Sequence, residues 1–320
     1  MIGLLLLTLR ELRARKVIVA LFVVATAVWL SLALALQLDV VDGSLAGFRL
    51  FGIEETTDAA APITDPETGD AVVDPATGEA VVREPGPPFG ANPLEQLVFG
   101  AEAFVAGAAY WVGILLCLFA TGGLVAGLVE PGQADLLVSK PLSRNAILAG
   151  RLGGVAVVTF GPVTYLLGAV WLVMSVKTGV WNPRFLLAIG AVWTMFAVLY
   201  GVVTLASVWS GSGPLALIVT LGLVFATLVL AIPNLALSVN AGVRPLIEGL
   251  YVVLPRFGSV GTRLVPYLAT GTDLAAVAIA DGVQPAPPSL VATLTPLVSS
   301  VAFGAACYGG AFFLFNRRDY

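Results

Sequence analysis

Long uncharged apolar runs dominate the chain, and the polar residues gather between them. A helix crossing ~30 Å of hydrocarbon needs about 20 apolar residues at 1.5 Å each. Six runs meet that length: Val17–Leu38, Phe104–Val129, Leu152–Val176, Phe185–Trp209, Leu215–Leu237 and Leu290–Phe315. None contains Asp, Glu, Lys or Arg. Gly161-Pro162 is placed to kink the third run, and Pro296 sits near the start of the sixth. The pattern predicts an all-α integral membrane protein of six transmembrane helices with both termini on one side.

Composition sharpens this reading. Hydrophobic residues make up 58% of the 320, with 35 glycines besides, and charged residues only 11%. A soluble domain carries about 25% charged residues. The net charge of −4 is unevenly spread. Residues 39–103 hold thirteen acids and two bases, a net of −11, and the remainder sums to +7. The chain is a basic membrane body carrying one acidic loop.

The basic residues near span ends set the orientation, since short cytoplasmic loops are rich in Lys and Arg. Arg10, Arg13, Arg15 and Lys16 precede the first span. Lys140, Arg144 and Arg151 lie between the second and third, and Arg317 and Arg318 follow the sixth. With six spans, these three groups share the cytoplasmic face, and the 39–103 loop is extracytoplasmic. Residues 1–16 suit an interfacial helix, with Leu4, Leu7 and Leu12 apolar and Arg10 and Arg13 charged. The first span also admits a signal-peptide reading through Ala33-Leu34-Ala35. Its length, about twice an h-region, and the sixteen residues before it weigh against cleavage. Segment 238–289 holds two weaker apolar stretches, Leu246–Leu254 and Leu264–Ala280, expected as interfacial or re-entrant helices on the outer side. Residues 316–320 form a cytoplasmic tail.

Several chemistries are excluded by residue type. The chain has no histidine, so it has no His base and no His-ligated zinc. Its two cysteines, Cys117 and Cys307, each lie inside an apolar run and read as small apolar residues of the spans. No G-x-x-x-x-G-K-[ST] phosphate loop occurs, and none of the three lysines, Lys16, Lys140 and Lys177, follows a glycine. Glu102, Glu248 and Asp273 read as solvated carboxylates at span ends or in the outer segment. The outer loop repeats Asp-Pro-x-Thr-Gly-x-Ala-Val-Val at 65–73 and 74–82. Asp-Pro and Gly make this a pair of turns, or else a weak calcium or partner site.

The inner connection is more specific. Glu130-Pro131 ends the second span and can open a new helix. Pro141 forces Lys140 out of helical geometry and stops that helix after roughly two turns. Ser143 is then the expected N-cap of the helix entering the third span. Glu130, Asp135, Lys140 and Arg144 hold the element at the surface, because a charge at bilayer centre costs about 2.5–3.5 kcal/mol. Leu136, Leu137 and Val138 remain available for contact.

At these residues the chain resembles the permease subunits of ABC type-2 exporters. The likeness rests on Arg10-Glu11-Leu12-Arg13 before the first span. It rests also on Glu130, Gly132, Leu136-Leu137 and Ser139-Lys140-Pro141-Leu142-Ser143-Arg144 after the second. It covers about residues 120–151 and 8–36; Gly132-Gln133 stands where the family usually has Gly-Thr. The resemblance implies that Glu130, Gly132, Asp135, Leu136, Leu137, Ser139, Lys140, Pro141, Ser143 and Arg144 form a coupling helix against a separate ATP-binding subunit. ATP and Mg²⁺ would then bind that partner and no cofactor this chain. The other partners implied are a second permease copy or a paralogue and the lipid bilayer, with no nucleic acid and no catalysis by this chain alone. An ion-coupled secondary transporter and a non-transporting scaffold that recruits partners through the acidic loop are the competing readings. The cargo is not encoded, because Leu, Val, Ala and Gly in the spans specify packing rather than a ligand.

Overall fold

The computed structural model describes residues 16–41, 44–50, 53–55, 93–128, 143–230, 244–271 and 290–317. Its body is a helical bundle. Helix α1 spans Val17–Ala35, α2 residues 93–126, α3 Arg144–Thr178, α4 Leu187–Ser210 and α5 Gly213–Leu230. Short α6 (Arg244–Val253) and a helical run over 257–270, α7, follow, and α8 (Leu290–Arg317) ends the described chain. Five helices are long and apolar enough to cross a membrane, namely α2, α3, α5, α8 and α4 with its leading 3₁₀ turn Pro183–Leu186. The protein is a multi-pass membrane protein. Apolar α1 packs along α3 as a shorter sixth member.

Helix polarity follows from side-chain pairs. Phe22 meets Tyr165 at 5.3 Å between ring centroids, and Lys177 reaches the carbonyl of Ala33. So α1 and α3 run parallel. Glu102 meets Asn182 and Tyr200 meets Thr121, which makes α2 and α4 parallel. Arg151 near the start of α3 reaches Leu124 near the end of α2, so these two are antiparallel. Helix α8 follows α4, since Tyr308 donates to the carbonyl of Ala197 and Gly310 lies against Leu205. Lys16, Arg144, Arg151 and Arg317 therefore share one end of the bundle, and Glu102 and Asn182 sit at the other.

Helix α4 is the hub. It is the most enclosed of the five candidate spans, with 61% of its apolar window buried, against 22% for α8 and 28% for α5. Phe104, Trp209, Ile218, Phe225 and Phe313 point outward from the bundle. Outward apolar side chains suit a hydrocarbon solvent, which exerts no force to hide them. Lipid therefore does not drive the helices together; close packing must do so. Gly201 and Gly304 supply it at the α4–α8 crossing. A Cβ on Gly304 would lie 3.0 Å from the Cα of Val198, and one on Gly201 would lie 3.1 Å from the carbonyl oxygen of Gly304.

Helices α2 and α3 outrun the apolar runs that announce them. The third run, expected at Leu152–Val176, is helical over Arg144–Thr178, continuing through Pro162. Its 35 residues make a helix of about 52 Å, longer than a bilayer core, so both charged ends can reach an aqueous boundary. The second, expected from Phe104, begins at Pro93. A proline belongs in a first turn, where its missing N–H is no loss. The first run, expected to Leu38, stops at Ala35, where Lys177 satisfies a terminal carbonyl. There Leu36–Val41, Ser44–Leu50 and Ile53–Glu55 form a three-stranded antiparallel sheet, β1 to β3, which the expectation of an all-α fold lacked. The register pairs Leu36 with Leu50 and slips between Asp39 and Val40. The period-two alternation of Leu36-Gln37-Leu38-Asp39-Val40 is the local cause.

Segment 238–289 contributes α6 and α7 at the Glu102 end; α6 overlaps the expected stretch Leu246–Leu254, and α7 overlaps the expected Leu264–Ala280 over 264–270, with 272–280 outside the described residues. Helix α7 packs on α2, where Tyr110 stacks on Phe257 at 4.8 Å and donates a 2.7 Å hydrogen bond to its carbonyl. Helix α2 makes a π-helical turn at Ala109–Gly113 beside this contact.

Replacing Gly304 by leucine should force α4 and α8 apart and cost about 1–3 kcal/mol, the usual price of overpacking. The exposed Gly309, with no atom near its missing Cβ, should accept leucine with little change. Thermal unfolding of the two variants in detergent, monitored by circular dichroism, measures the difference.

Candidate functional site

Two polar clusters interrupt the apolar body, one at each end. The first joins α2 to α3. The Ser143 backbone is extended (φ −67°, ψ 144°), and its hydroxyl accepts a 3.2 Å hydrogen bond from the amide of Ala146. This is the N-cap expected from sequence. Two turns on, Arg151 is buried, and its Nε donates 3.2 Å to the carbonyl of Leu124. Leu124 lies in the last turn of α2, where carbonyls lack intrahelical partners and the helix dipole is negative. A guanidinium suits that position in both charge and geometry. The sequence reading had Arg151 among the bases of the connecting loop; it is instead a buried cation within α3 that ties down α2.

The end of α2 is fixed further by neighbours. The hydroxyl of Tyr200 on α4 donates 3.3 Å to the carbonyl of Thr121. The start of α5 comes so close that a Cβ on Gly213 would lie 3.0 Å from the Cα of Gly123. The chain thus leaves α2 after Leu128 and re-enters α3 at Ser143 on the same end of the bundle, with both anchor points held.

Of the residues assigned to the coupling element, Ser143 and Arg144 are described. Ser143 is exposed and Arg144 half-buried, where α3 begins. Glu130, Gly132, Asp135, Leu136, Leu137, Ser139, Lys140 and Pro141 lie outside the described residues. So do the 65–82 repeat, residues 1–15, and Asp273.

The second cluster overturns a sequence expectation. Glu102 is fully buried, not a solvated carboxylate at a span end. The cause is the early start of α2, which puts Glu102 in the third turn of a continuous helix. It shares a face with Leu94, Val98 and Val105, all buried. Its Oε2 accepts a 2.7 Å hydrogen bond from Nδ2 of Asn182, which also donates 2.6 Å to the carbonyl of Ala269 on α7. Oε1 meets no donor. Asn182, in the short connection between α3 and α4, thus pins α2 to α7. Sequence reasoning missed this site by starting the span at Phe104. Two signals were present: Asn92-Pro93 spells a helix start, and Leu94, Val98, Glu102 and Val105 recur at helical spacing.

Cys117 and Cys307 are free and buried, as their apolar surroundings led one to expect. Among the described residues no three His, Cys, Asp or Glu side chains come together as a metal site. No family model, curated protein or solved structure matches this chain.

Asn182→Leu should leave both oxygens of Glu102 without a donor and destabilise the bundle by about 1–3 kcal/mol. Adding Glu102→Met should recover much of that loss, because removing both partners removes the orphaned group. Denaturant titration of the two single variants and the double variant in micelles checks the coupling.

Proposed function

We propose that this protein is the membrane-spanning permease subunit of an ATP-driven exporter resembling the ABC type-2 kind, driven by a separate ATP-binding subunit. The observation that carries the reading is the anchoring of α2 and α3 around the charged 129–142 connection. Arg151 ties the α2 terminus to α3, and Tyr200 ties it to α4. A force applied to that connection would be passed to two long helices at once, and through Thr121 to the hub. A coupling element needs such stiffness.

Orientation follows the same logic. The end carrying Lys16, Arg144, Arg151 and Arg317 is cytoplasmic by the excess of bases. The Glu102 end, with the sheet and α6–α7, is extracytoplasmic. Helix α1, about 28 Å long, is the sixth crossing and brings both termini inside. The site is a cell membrane. ATP and Mg²⁺ belong to the partner subunit, and Glu130, Asp135, Leu136, Leu137, Lys140 and Arg144 face it. A second copy or a paralogue completes the translocation path, and closure of the ATPase pair shifts the inward–outward balance.

One observation favours the second reading, an ion-coupled carrier: Glu102 is a buried carboxyl within a candidate span. Such residues commonly mark ion pathways. Transport by the purified chain in liposomes without any ATPase would decide for it.

The proposal is tested with the permease reconstituted beside the ATPase that co-purifies with it. The double substitution Glu130→Ala, Leu137→Ala should lower permease-stimulated ATP hydrolysis about tenfold or more, the scale of losing an interface hot spot, while membrane insertion persists. Unchanged stimulation, or no nucleotide hydrolase recovered from native membranes, overturns the reading.

A further inference from the structure

The orphaned oxygen of Glu102 has no use in the anchoring described at the opposite end. A carboxyl has about four acceptor sites when ionised. This one receives a single hydrogen bond, from Asn182 to Oε2, and its other oxygen receives none. Both oxygens sit in a residue with no exposed surface. Burial of a charge is tolerated where a cation or several donors answer it. Neither is at hand. The elements packed on this part of α2 carry, in sequence, the charged or titratable residues Lys177 of α3, Arg184 of the 3₁₀ turn, Arg263 and Tyr267 of α7 and Arg49 of β2, with Glu95 on α2 itself. None of those described in side-chain detail bonds to Glu102. Arg184 instead lies against the end of α7, with Nη1 2.7 Å from the position of a Cβ on Gly271.

We infer that Glu102 is a proton-binding site at the Glu102 end of the bundle, with Asn182 as its positioning residue. Three features of the geometry point to a proton rather than a larger cation. The site is closed, and a proton needs no room. The asparagine amide is oriented as a donor to Oε2, so it supplies no further oxygen ligand through that atom. The vacant Oε1 is the one carboxyl atom without a partner, and it is there that the O–H bond would form. Binding is simple: a proton from water adds to Oε1 of the carboxylate, and release returns it to water with the electron pair left on oxygen.

Location gives this site a consequence. Asn182 holds Glu102 and the carbonyl of Ala269 through one nitrogen, so the carboxyl, the α3–α4 connection and α7 form one latch. Water must reach Oε1 for exchange, and α7 is packed on α2 at this level, held to the same Asn182 through the Ala269 carbonyl. Loading and release of the proton are therefore tied to α7 leaving α2. A proton there sits at the α2–α7 contact of that end, independent of any ATPase.

Infrared difference spectroscopy on the whole purified chain in lipid nanodiscs tests it. The native protein should show the C=O stretch of a protonated carboxyl that disappears in Glu102→Gln. Glu102→Asp, which keeps a carboxyl, should restore a band at a shifted position if the glutamine variant folds poorly. Asn182→Ala should move the native band, since the amide contacts the same group, whereas a packing role alone would leave its frequency alone. Exchange into D₂O should shift the band only after α7 can open. A disulfide introduced between α2 and α7 should slow that shift at least tenfold. Absence of any Glu102-dependent band while the protein is folded overturns the inference. So does a band that vanishes when sodium or potassium replaces a bulky organic cation, which would make the ligand a metal ion. Neither result touches the ATPase proposal, because no nucleotide enters the measurement.

Discussion

Hydrocarbon offers nothing to an amide, a hydroxyl or a carboxyl, so every polar group in this bundle must find its partner within the protein. That constraint explains the sparse polar contacts better than any list of packed leucines. Trp193 donates its indole N–H to the carbonyl of Ala156, Tyr308 its hydroxyl to Ala197, and Tyr110 its hydroxyl to Phe257. Each joins a side chain on one helix to a backbone carbonyl on another element. Between lipid-exposed helices such bonds are worth about 0.6 kcal/mol on average, because the separated helices also find partners. Their value here lies in register. They fix which turn of one helix faces which turn of the next, and apolar surface alone leaves that open.

The same constraint divides the bundle into a stiff end and a latched end. At the Arg151 end, the guanidinium, a terminal carbonyl and the contact of Gly123 with Gly213 close the α2–α3–α5 junction. Ser207 Oγ, in the last turn of α4, is the buried side-chain atom left without a partner there among the described residues. At the Glu102 end, the carboxyl is underpartnered and the short helix α7 is tied to it through Asn182.

How much was legible in the sequence depends on what a residue had to say locally. The apolar runs of α4 and α8 were plain, because the solvent demands them residue by residue. Ser143 was plain too, since an N-cap is set by the residues around Pro141. The ends of α2 and α3 were not, because hydropathy sees only the part of a helix that is in lipid. Pro93, Glu95 and Glu102 belong to a helix whose first turns carry acids, and a charge-free window cannot include them. Arg151 was misplaced for the same reason. The first strand, Leu36–Val41, begins inside the uncharged run, whose last residues Leu36–Leu38 read as span until their period of two is counted.

The Glu102 error is the instructive one. A carboxylate near a span end is usually hydrated, and that rule rests on the helix beginning where the apolar run begins. Once α2 is known to start eleven residues earlier, the rule no longer applies, and the helical spacing of Leu94, Val98, Glu102 and Val105 takes over. Asn182 could not have been paired with Glu102 by any local signal, because eighty residues separate them. What joins them is the parallel run of α2 and α4, which follows from the long return through α3. A tertiary constraint therefore selected the partner, and the local pattern selected only the face.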